Sequence, residues 1–284
     1  MKLVSGILMA AALSAPAFTQ PTATEIWRTD NVSRPEAVHV PANSDWAIIS
    51  NQGPENAEQG GYLSRLHLVT GEFQEYWASG YEGPLGIISS ADHVYFSDQG
   101  QRVIILDRQS GREIDRLEAP EDAALFNDLA IDGEGALWAT DTRVGALFRY
   151  RDGVWSQVAS GEAFTGANGV EFVDGWIYVV CSSGVGNLVR VDPETYDYEV
   201  IFEGEGSLDG VVTDGRGGLI LSDLNGRLLH WNEQLGLTVL DDFADEEIML
   251  NSSGGTPDGR FIFSPHWRQS QLSMHEVSYT SQAD

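Results

Sequence analysis

The chain contains only one cysteine, Cys181, and this excludes an internal disulfide. In the repeated units described below, we align Cys181 with Ser97, Thr140 and Ser222. This alignment indicates a small, buried strand residue rather than a reactive nucleophile.

Basic residues are also scarce. The 16 Lys and Arg residues are outnumbered by 43 Asp and Glu residues, which gives a formal net charge of −27. Nucleic acids and anionic membranes bind clustered positive charge, so this balance argues against both as partners. It favours the attraction of cations. We expect a small-molecule partner and a protein that is a monomer or a weak oligomer.

Long apolar segments are also missing: after the N-terminal segment, no stretch of the sequence reaches the ~20 apolar residues of a membrane span. Residues 1–20 have the features of a signal peptide: Lys2, the apolar run Leu8–Leu13, and the small-residue cleavage pattern Ala15–Ala17. The sequence therefore predicts an exported protein, periplasmic or secreted, with residues 21–284 forming one domain. No segment shows a helical period over three turns, which indicates an all-β fold.

A strand, a Gly-rich or polar turn and a second strand recur along the chain. The steps from Asn127 to Asn168 and from Asn168 to Asp209 are both 41 residues. Further units are expected to begin at Glu36, at Gly86 and, in degenerate form, near Ile248. Six units of about forty residues predict a six-bladed β-propeller. We expect the N-terminal strand, residues 23–29, to pair with residues 271–278 and so to close the last blade.

Acidic residues also recur where the second strand of a unit ends, at Asp98, Asp141 and Asp223. Because they recur in register, we interpret them as structural side chains that bond the backbone of the next turn.

The residues that open the innermost strands carry oxygen. Glu36, Asn127, Asn168 and Asp209 stand at this position, and a propeller brings such positions to one end of its central channel. Carboxylate and amide oxygens suit a hard divalent cation such as Ca²⁺, Mg²⁺ or Mn²⁺. The alternative is that Asn-Gly and Asp-Gly are ordinary turn residues. Glutamate is a poor turn former, so Glu36 favours the metal site.

These motifs resemble the SMP-30/gluconolactonase/LRE family, also called regucalcin-like, over residues 27–277. The resemblance rests on Arg34-Pro35-Glu36, Asn127-Asp128, Asn168-Gly169 and Leu208-Asp209-Gly210. It implies a six-bladed propeller that holds one divalent cation between Glu36, Asn168 and Asp209. Ca²⁺ is the first candidate, with Mg²⁺, Mn²⁺ and Zn²⁺ as alternatives. It also implies that Asp209 is the general base of lactone hydrolysis and that Asn127 faces the substrate.

Two functions remain open from the sequence. The first is a metal-dependent hydrolase of a small lactone or ester, with Asp209 and Asn127 as catalytic residues. Its expected substrate contacts are Asn127, Asp128, Leu125 and His266. The second is an exported, non-catalytic propeller that binds a metal or a small ligand. Leu125 stands where sugar lactonases of the family carry an arginine, and this favours the second function.

Overall fold

The computed structural model describes residues 20–54, 60–99, 101–183, 186–204 and 206–279. The predicted signal peptide lies outside these residues except for its last position, Gln20. Within the described ranges the chain forms β-strands and two short 3-10 turns, Glu162–Phe164 and Ala244–Glu246. No helix there is long and apolar enough to cross a membrane.

In the part of the chain that the structure describes, twenty-four strands form six sheets of four strands each. The first blade comprises β2 (Pro35–His39), β3 (Trp46–Asn51), β4 (Gly61–His67) and β5 (Phe73–Tyr81). The second comprises β6 (Pro84–Ser89), β7 (His93–Asp98), β8 (Arg102–Asp107) and β9 (Glu113–Glu118). The third comprises β10 (Phe126–Ile131), β11 (Leu137–Asp141), β12 (Ala146–Arg151) and β13 (Val154–Ser160). The next two comprise β14 (Ala167–Val173), β15 (Trp176–Cys181), β16 (Asn187–Val191) and β17 (Tyr198–Glu203); and β18 (Leu208–Thr213), β19 (Leu219–Asp223), β20 (Arg227–Asn232) and β21 (Gly236–Asp242). The sixth comprises β22 (Gly254–Gly255), β23 (Phe261–His266), β24 (Gln271–Tyr279) and β1 (Pro21–Thr29).

The blades form a closed ring. Each innermost strand contacts the innermost strands of both neighbouring blades, from β2 through β6, β10, β14, β18 and β22 and back to β2. The predicted six-bladed β-propeller is therefore confirmed. The six innermost strands surround a central channel, as in other propellers.

The ring closes as the sequence predicts. Strand β1 pairs antiparallel with β24, from Pro21 opposite Tyr279 to Thr29 opposite Leu272. A second closure lies beside the channel, where Val38 N donates to Ser252 O at 3.2 Å and Ser252 N donates to Glu36 O at 3.0 Å. Strand β1 therefore covers the edge that β24 would otherwise expose in the sixth blade.

Burial decreases from the channel outward. The innermost strand β10 is buried along almost its whole length, whereas the outermost strand β9 is mainly exposed or partly exposed. Apolar side chains of adjacent blades pack together, as where Trp138 and Leu147 of the third blade meet Val179 and Val189 of the fourth. The innermost strands are thus held from both sides, and their backbones are fixed by packing.

The acids at the ends of the second strands are structural, as predicted. Asp141 Oδ2 accepts hydrogen bonds from Ala124 N at 2.6 Å and from Leu125 N at 2.8 Å. Asp98 Oδ1 accepts one from Gly83 N at 2.7 Å. Each carboxylate holds the turn that leads into the innermost strand of its own blade, and so it positions the start of that strand.

Candidate functional site

The innermost strands share an irregularity where they begin. In the third blade Phe126 pairs with Asp141 and Leu129 with Ala139, so Asn127 and Asp128 together oppose a single residue. The innermost strands of the first, second, fourth and fifth blades show the same shift in register. Such a bulge redirects side chains at the end of a strand, and here it lies at the predicted site.

In each blade, a residue paired with the second strand precedes the bulge. The residue directly after it takes one of six equivalent positions. We call these residues the channel ring: Glu36, Leu85, Asn127, Asn168, Asp209 and Asn251. Two of them differ from the sequence prediction. Leu85 takes the position assigned to Gly86, and Asn251 supplies the sixth position, which was expected near Ile248. The sequence feature that could have identified these two residues is a spacing of 42 rather than 41 residues, from 85 to 127 and from 209 to 251.

Hydroxyl groups of the second strands hold the ring in place. Thr140 Oγ1 accepts from Asp128 N at 3.0 Å and donates to the carbonyl oxygen of Asn168. Ser222 Oγ accepts from Gly210 N at 3.1 Å and donates to Asn251 O at 2.7 Å. Each hydroxyl therefore joins one ring backbone to that of the next blade, which makes the ring rigid.

Cys181 does not belong to this set of hydroxyl positions. It pairs with Ala167 as Asp141 pairs with Phe126, so our alignment of Cys181 with Thr140 was wrong by one residue. The side chain is fully buried, as predicted, and burial raises the pKa of its thiol to about 12. The thiol is therefore inert at neutral pH.

Four ring side chains present buried oxygens that have no hydrogen-bond partner in the described structure. They are Glu36 Oε2, Asn168 Oδ1, Asp209 Oδ1 and Asn251 Oδ1. These residues come from four successive blades around the ring, the fourth, fifth, sixth and first. Asn168 Nδ2 donates to Asp209 Oδ2 at 2.9 Å, and Asn251 hydrogen-bonds to Glu36. The four side chains therefore form one group.

This group has the chemistry of a cation site. Buried acceptors without donors are costly, and a hard divalent cation satisfies several at once. The donors are two carboxylates and two amides, so they fit the predicted ligands Glu36, Asn168 and Asp209 and add Asn251. Among the described residues no group of three or more His, Cys, Asp or Glu side chains is arranged to hold a metal ion. The four ring residues are not a group of that kind, because two of them, Asn168 and Asn251, offer amide oxygens.

The electrostatics of the ring are unfavourable without a cation. Burial, followed by the charges of Asp209 and Asp128, raises the pKa of Glu36 well above its usual range. Burial, followed by the charge of Asp128, raises the pKa of Asp209 to about 8. Burial also raises the pKa of Asp128 to about 7. Three carboxyl groups are thus held close to one another in a buried channel.

The predicted substrate residues of the third blade lie beside this group. Asn127 Nδ2 donates to Thr142 Oγ1 at 2.8 Å, and Thr142 Oγ1 donates to Ala167 O at 2.8 Å. Asp128 Oδ2 accepts from Val170 N at 3.3 Å and from Ser252 Oγ at 3.4 Å. Gly86 permits this placement of Asp128, because an added Cβ there would stand 2.1 Å from Asp128 Oδ1.

His266 lies apart from these residues. It is fully buried at the end of β23, in the position that Asp141 has in its own blade. Its Nε2 bonds to Ser273 Oγ at 2.8 Å, and its ring packs against Phe243 at 6.2 Å between centroids. Burial, followed by the charge of Arg28, lowers the pKa of His266 to about 3. The structure therefore places a neutral, packed histidine here and does not bring it to the ring.

A cavity of about 220 Å³ lies in the channel beyond the ring, in the direction in which the innermost strands run toward their C-terminal ends. We call it the far-end cavity. Its lining begins one residue beyond the ring positions, with Asp128 and Ser252, and includes Glu171, His39 and Thr213. The channel therefore contains two chemically distinct regions, the oxygen-rich ring and this larger space.

Comparisons with known proteins support the fold. No protein-family model and no curated protein matches the chain, so the SMP-30-like family remains a resemblance. Among solved structures, a catalytically inactive virginiamycin B lyase from Staphylococcus aureus with quinupristin is 12% identical, with a TM-score of 0.66, over 90% of this chain and 99% of that one. Streptogramin B lyase is 12% identical with a TM-score of 0.66, over 91% and 98% of the two chains. A nidogen/laminin complex is 15% identical with a TM-score of 0.62, over 74% and 84%. At these identities the likeness shows the propeller fold alone.

Proposed function

We propose that the protein is a divalent-metal-dependent hydrolase that opens a small lactone or a similar ester at the channel ring. The observation that carries the proposal is the group of buried ring oxygens without hydrogen-bond partners. Glu36, Asn168 and Asp209 are the proposed ligands, with Asn251 as a fourth. The oxygen-only donor set favours Ca²⁺, with Mg²⁺, Mn²⁺ and Zn²⁺ as alternatives to be tested.

A bound cation supplies Lewis-acid chemistry, which polarises an ester carbonyl. The side chains supply the rest. Asn168 orients Asp209 through a hydrogen bond to one carboxylate oxygen, and Asp209 is the proposed acceptor of the proton from the attacking water. Asn127 uses one N–H of its amide on Thr142 and keeps the second for the oxyanion that develops on the substrate.

The structural neighbours support an enzyme at a coarse level only. Two of them are lyases by name and have the same fold as this chain. The second candidate is an exported, non-catalytic propeller that holds a cation and a small ligand. Leu85 in the ring favours this candidate, because its side chain offers no hydrogen bond to a polar substrate. So does Leu125, which stands where the resemblance implies an arginine.

A panel of aliphatic, aryl and sugar lactones with matched open-chain esters separates the two functions. The mature protein is assayed after EDTA treatment and after each of the four cations is added back. The hydrolase predicts turnover above background that EDTA removes, and a loss of about 10²-fold to 10⁴-fold in Asp209→Asn. The exposed loop variant Asp122→Asn is the matched control and should retain full activity. Turnover that survives EDTA or Asp209→Asn contradicts the proposal, and saturable ligand binding without turnover supports the binding propeller.

A further inference from the structure

The far-end cavity is separate from the proposed metal site. None of the six ring residues lines it, whereas the residues that follow them in the innermost strands do. All six blades contribute to its wall, so the cavity lies on the channel axis. Its volume of about 220 Å³ exceeds the ~150 Å³ of an apolar protein cavity that binds benzene. It therefore has room for a small organic molecule.

Two carboxyl groups face this cavity. Asp128 is 7% exposed and Glu171 is partly buried. Neither forms a salt bridge with any described residue. Burial, followed by the charge of Asp128, raises the pKa of Glu171 to about 8. The charge of Asp128 thus acts on Glu171, and no described basic side chain forms an ion pair with either carboxyl.

The basic groups at this end of the channel are engaged elsewhere or neutral. His39 Nε2 bonds to Ser89 Oγ at 2.8 Å, and burial, followed by the charge of Arg108, lowers the pKa of His39 to about 4. Arg108 donates to the carbonyl oxygens of Ser90, Ala91 and Ala42 at 3.0 to 3.3 Å. Asp128 and Glu171 are therefore the groups of the lining that can pair with a cationic ligand, in a chain that is itself strongly acidic.

The wall also has an aliphatic part and a hydroxyl part. Val38, Ile87, Leu129, Val170 and Val212 supply aliphatic side chains, and the hydroxyl residues of the lining are Ser89, Thr213, Ser252 and Ser253. A bare metal ion requires oxygen ligands on most sides, and the aliphatic side chains leave part of the wall without them. A molecule with one cationic end and a hydrocarbon body matches the two carboxyls and the aliphatic part of the lining.

We propose that the far-end cavity binds a small organic cation, with its ammonium group at Glu171 and Asp128 and its hydrocarbon part against the aliphatic wall. Anionic and neutral molecules of the same shape are discriminated against, because they bring no positive charge to the two carboxyls. The proposal does not depend on the hydrolase activity proposed above, since Glu171 has no part in that activity and Asp128 is not one of the proposed metal ligands.

Matched pairs of ligands test this inference. n-Butylammonium and cyclohexylammonium are titrated against 1-butanol and cyclohexanol by calorimetry, with the metal-free protein in EDTA. We expect the amines to bind at least tenfold more tightly than the alcohols. Glu171→Gln, which keeps the shape of the side chain, should reduce amine affinity at least tenfold. Thr213→Arg, which adds a fixed cation to the cavity lining, should abolish it.

Glu162→Gln is the control, because Glu162 is exposed and does not line the cavity. It should bind amines as the unaltered protein does. Equal affinity for amines and alcohols would overturn the proposal, and so would full affinity in Glu171→Gln. Loss of amine binding in Glu36→Gln but not in Glu171→Gln would overturn it as well, because it would place the ammonium at the ring. Saturable Ca²⁺ binding that Glu171→Gln removes would assign the cavity to an inorganic ion instead.

Discussion

Neutralising a ring carboxylate should change the stability of the protein in opposite directions with and without a cation. In the metal-free protein, Glu36 and Asp209 are buried beside each other, and both pKa values are raised. A carboxyl whose pKa is higher in the folded state than in the unfolded chain destabilises the fold as the pH rises above its ordinary value. For Asp209, a rise from 3.8 to about 8 corresponds at pH 7 to an upper limit of about 4 kcal/mol. Asp209→Asn and Glu36→Gln should therefore stabilise the metal-free protein, by about 1 to 3 kcal/mol each.

With a cation present, the unaltered protein should be more stable than the two variants. Ca²⁺ at about 100 times its dissociation constant stabilises a folded protein by about 2.7 kcal/mol. For a domain of this size this corresponds to a rise of roughly 5 to 10 °C in Tm. The two variants should lose this increment, because each removes a charged ligand. Thermal unfolding at pH 7 in EDTA and with each cation measures both effects, with Asp122→Asn as the control. Variants that are less stable than the unaltered protein in EDTA, or that respond fully to Ca²⁺, would refute the reasoning.

Three further predictions test the ring and its support. Asn251→Ala removes one of the unpartnered oxygens and should weaken Ca²⁺ binding about tenfold in calorimetric titrations; unchanged affinity would exclude it as a ligand. Gly86→Ala should cost about 1 to 3 kcal/mol in urea unfolding because its Cβ would collide with Asp128, whereas Gly133→Ala, with 3.5 Å of clearance, should be nearly neutral. Burial opposes ionisation of Asp214, but hydrogen bonds from His230 and from backbone amides outweigh it and lower its pKa. Asp214→Asn should therefore destabilise the protein by about 2 kcal/mol at pH 7, and this difference should shrink as the pH falls below about 4; a constant difference would contradict the assignment.

The repeat predicted the fold well because each blade buries its own alternating strands in the same way. The step of 41 residues located three ring residues, Asn127, Asn168 and Asp209, and the unpaired first strand indicated how the ring closes. Periodicity failed at Leu85 and Asn251, where the spacing is 42 residues. The turns of those units differ in length from the turns of the other units, and only the pairing of strands shows which side chain takes the ring position.

Other features depend on contacts that a sequence pattern does not contain. His266 and Asp141 occupy equivalent positions, yet the histidine was included among the expected substrate contacts. Its neighbours Ser273 and Phe243 show that it is packed between strands. The far-end cavity could not be predicted either, since its shape depends on how six strands from distant parts of the chain approach one another.

The unpartnered oxygens of the channel ring favour a binding site over the alternative of ordinary turn residues. Turn residues satisfy their side chains locally, as Asp141 does with backbone amides. Asn168, Asp209 and Asn251 follow the same sequence pattern, yet each keeps a buried oxygen without a partner. A buried, unsatisfied polar group costs about 1 to 3 kcal/mol, and more when it is charged. Packing alone would favour replacing such groups by apolar ones, as at Leu85. Their concentration in four successive blades is therefore best explained by a ligand that binds all of them together.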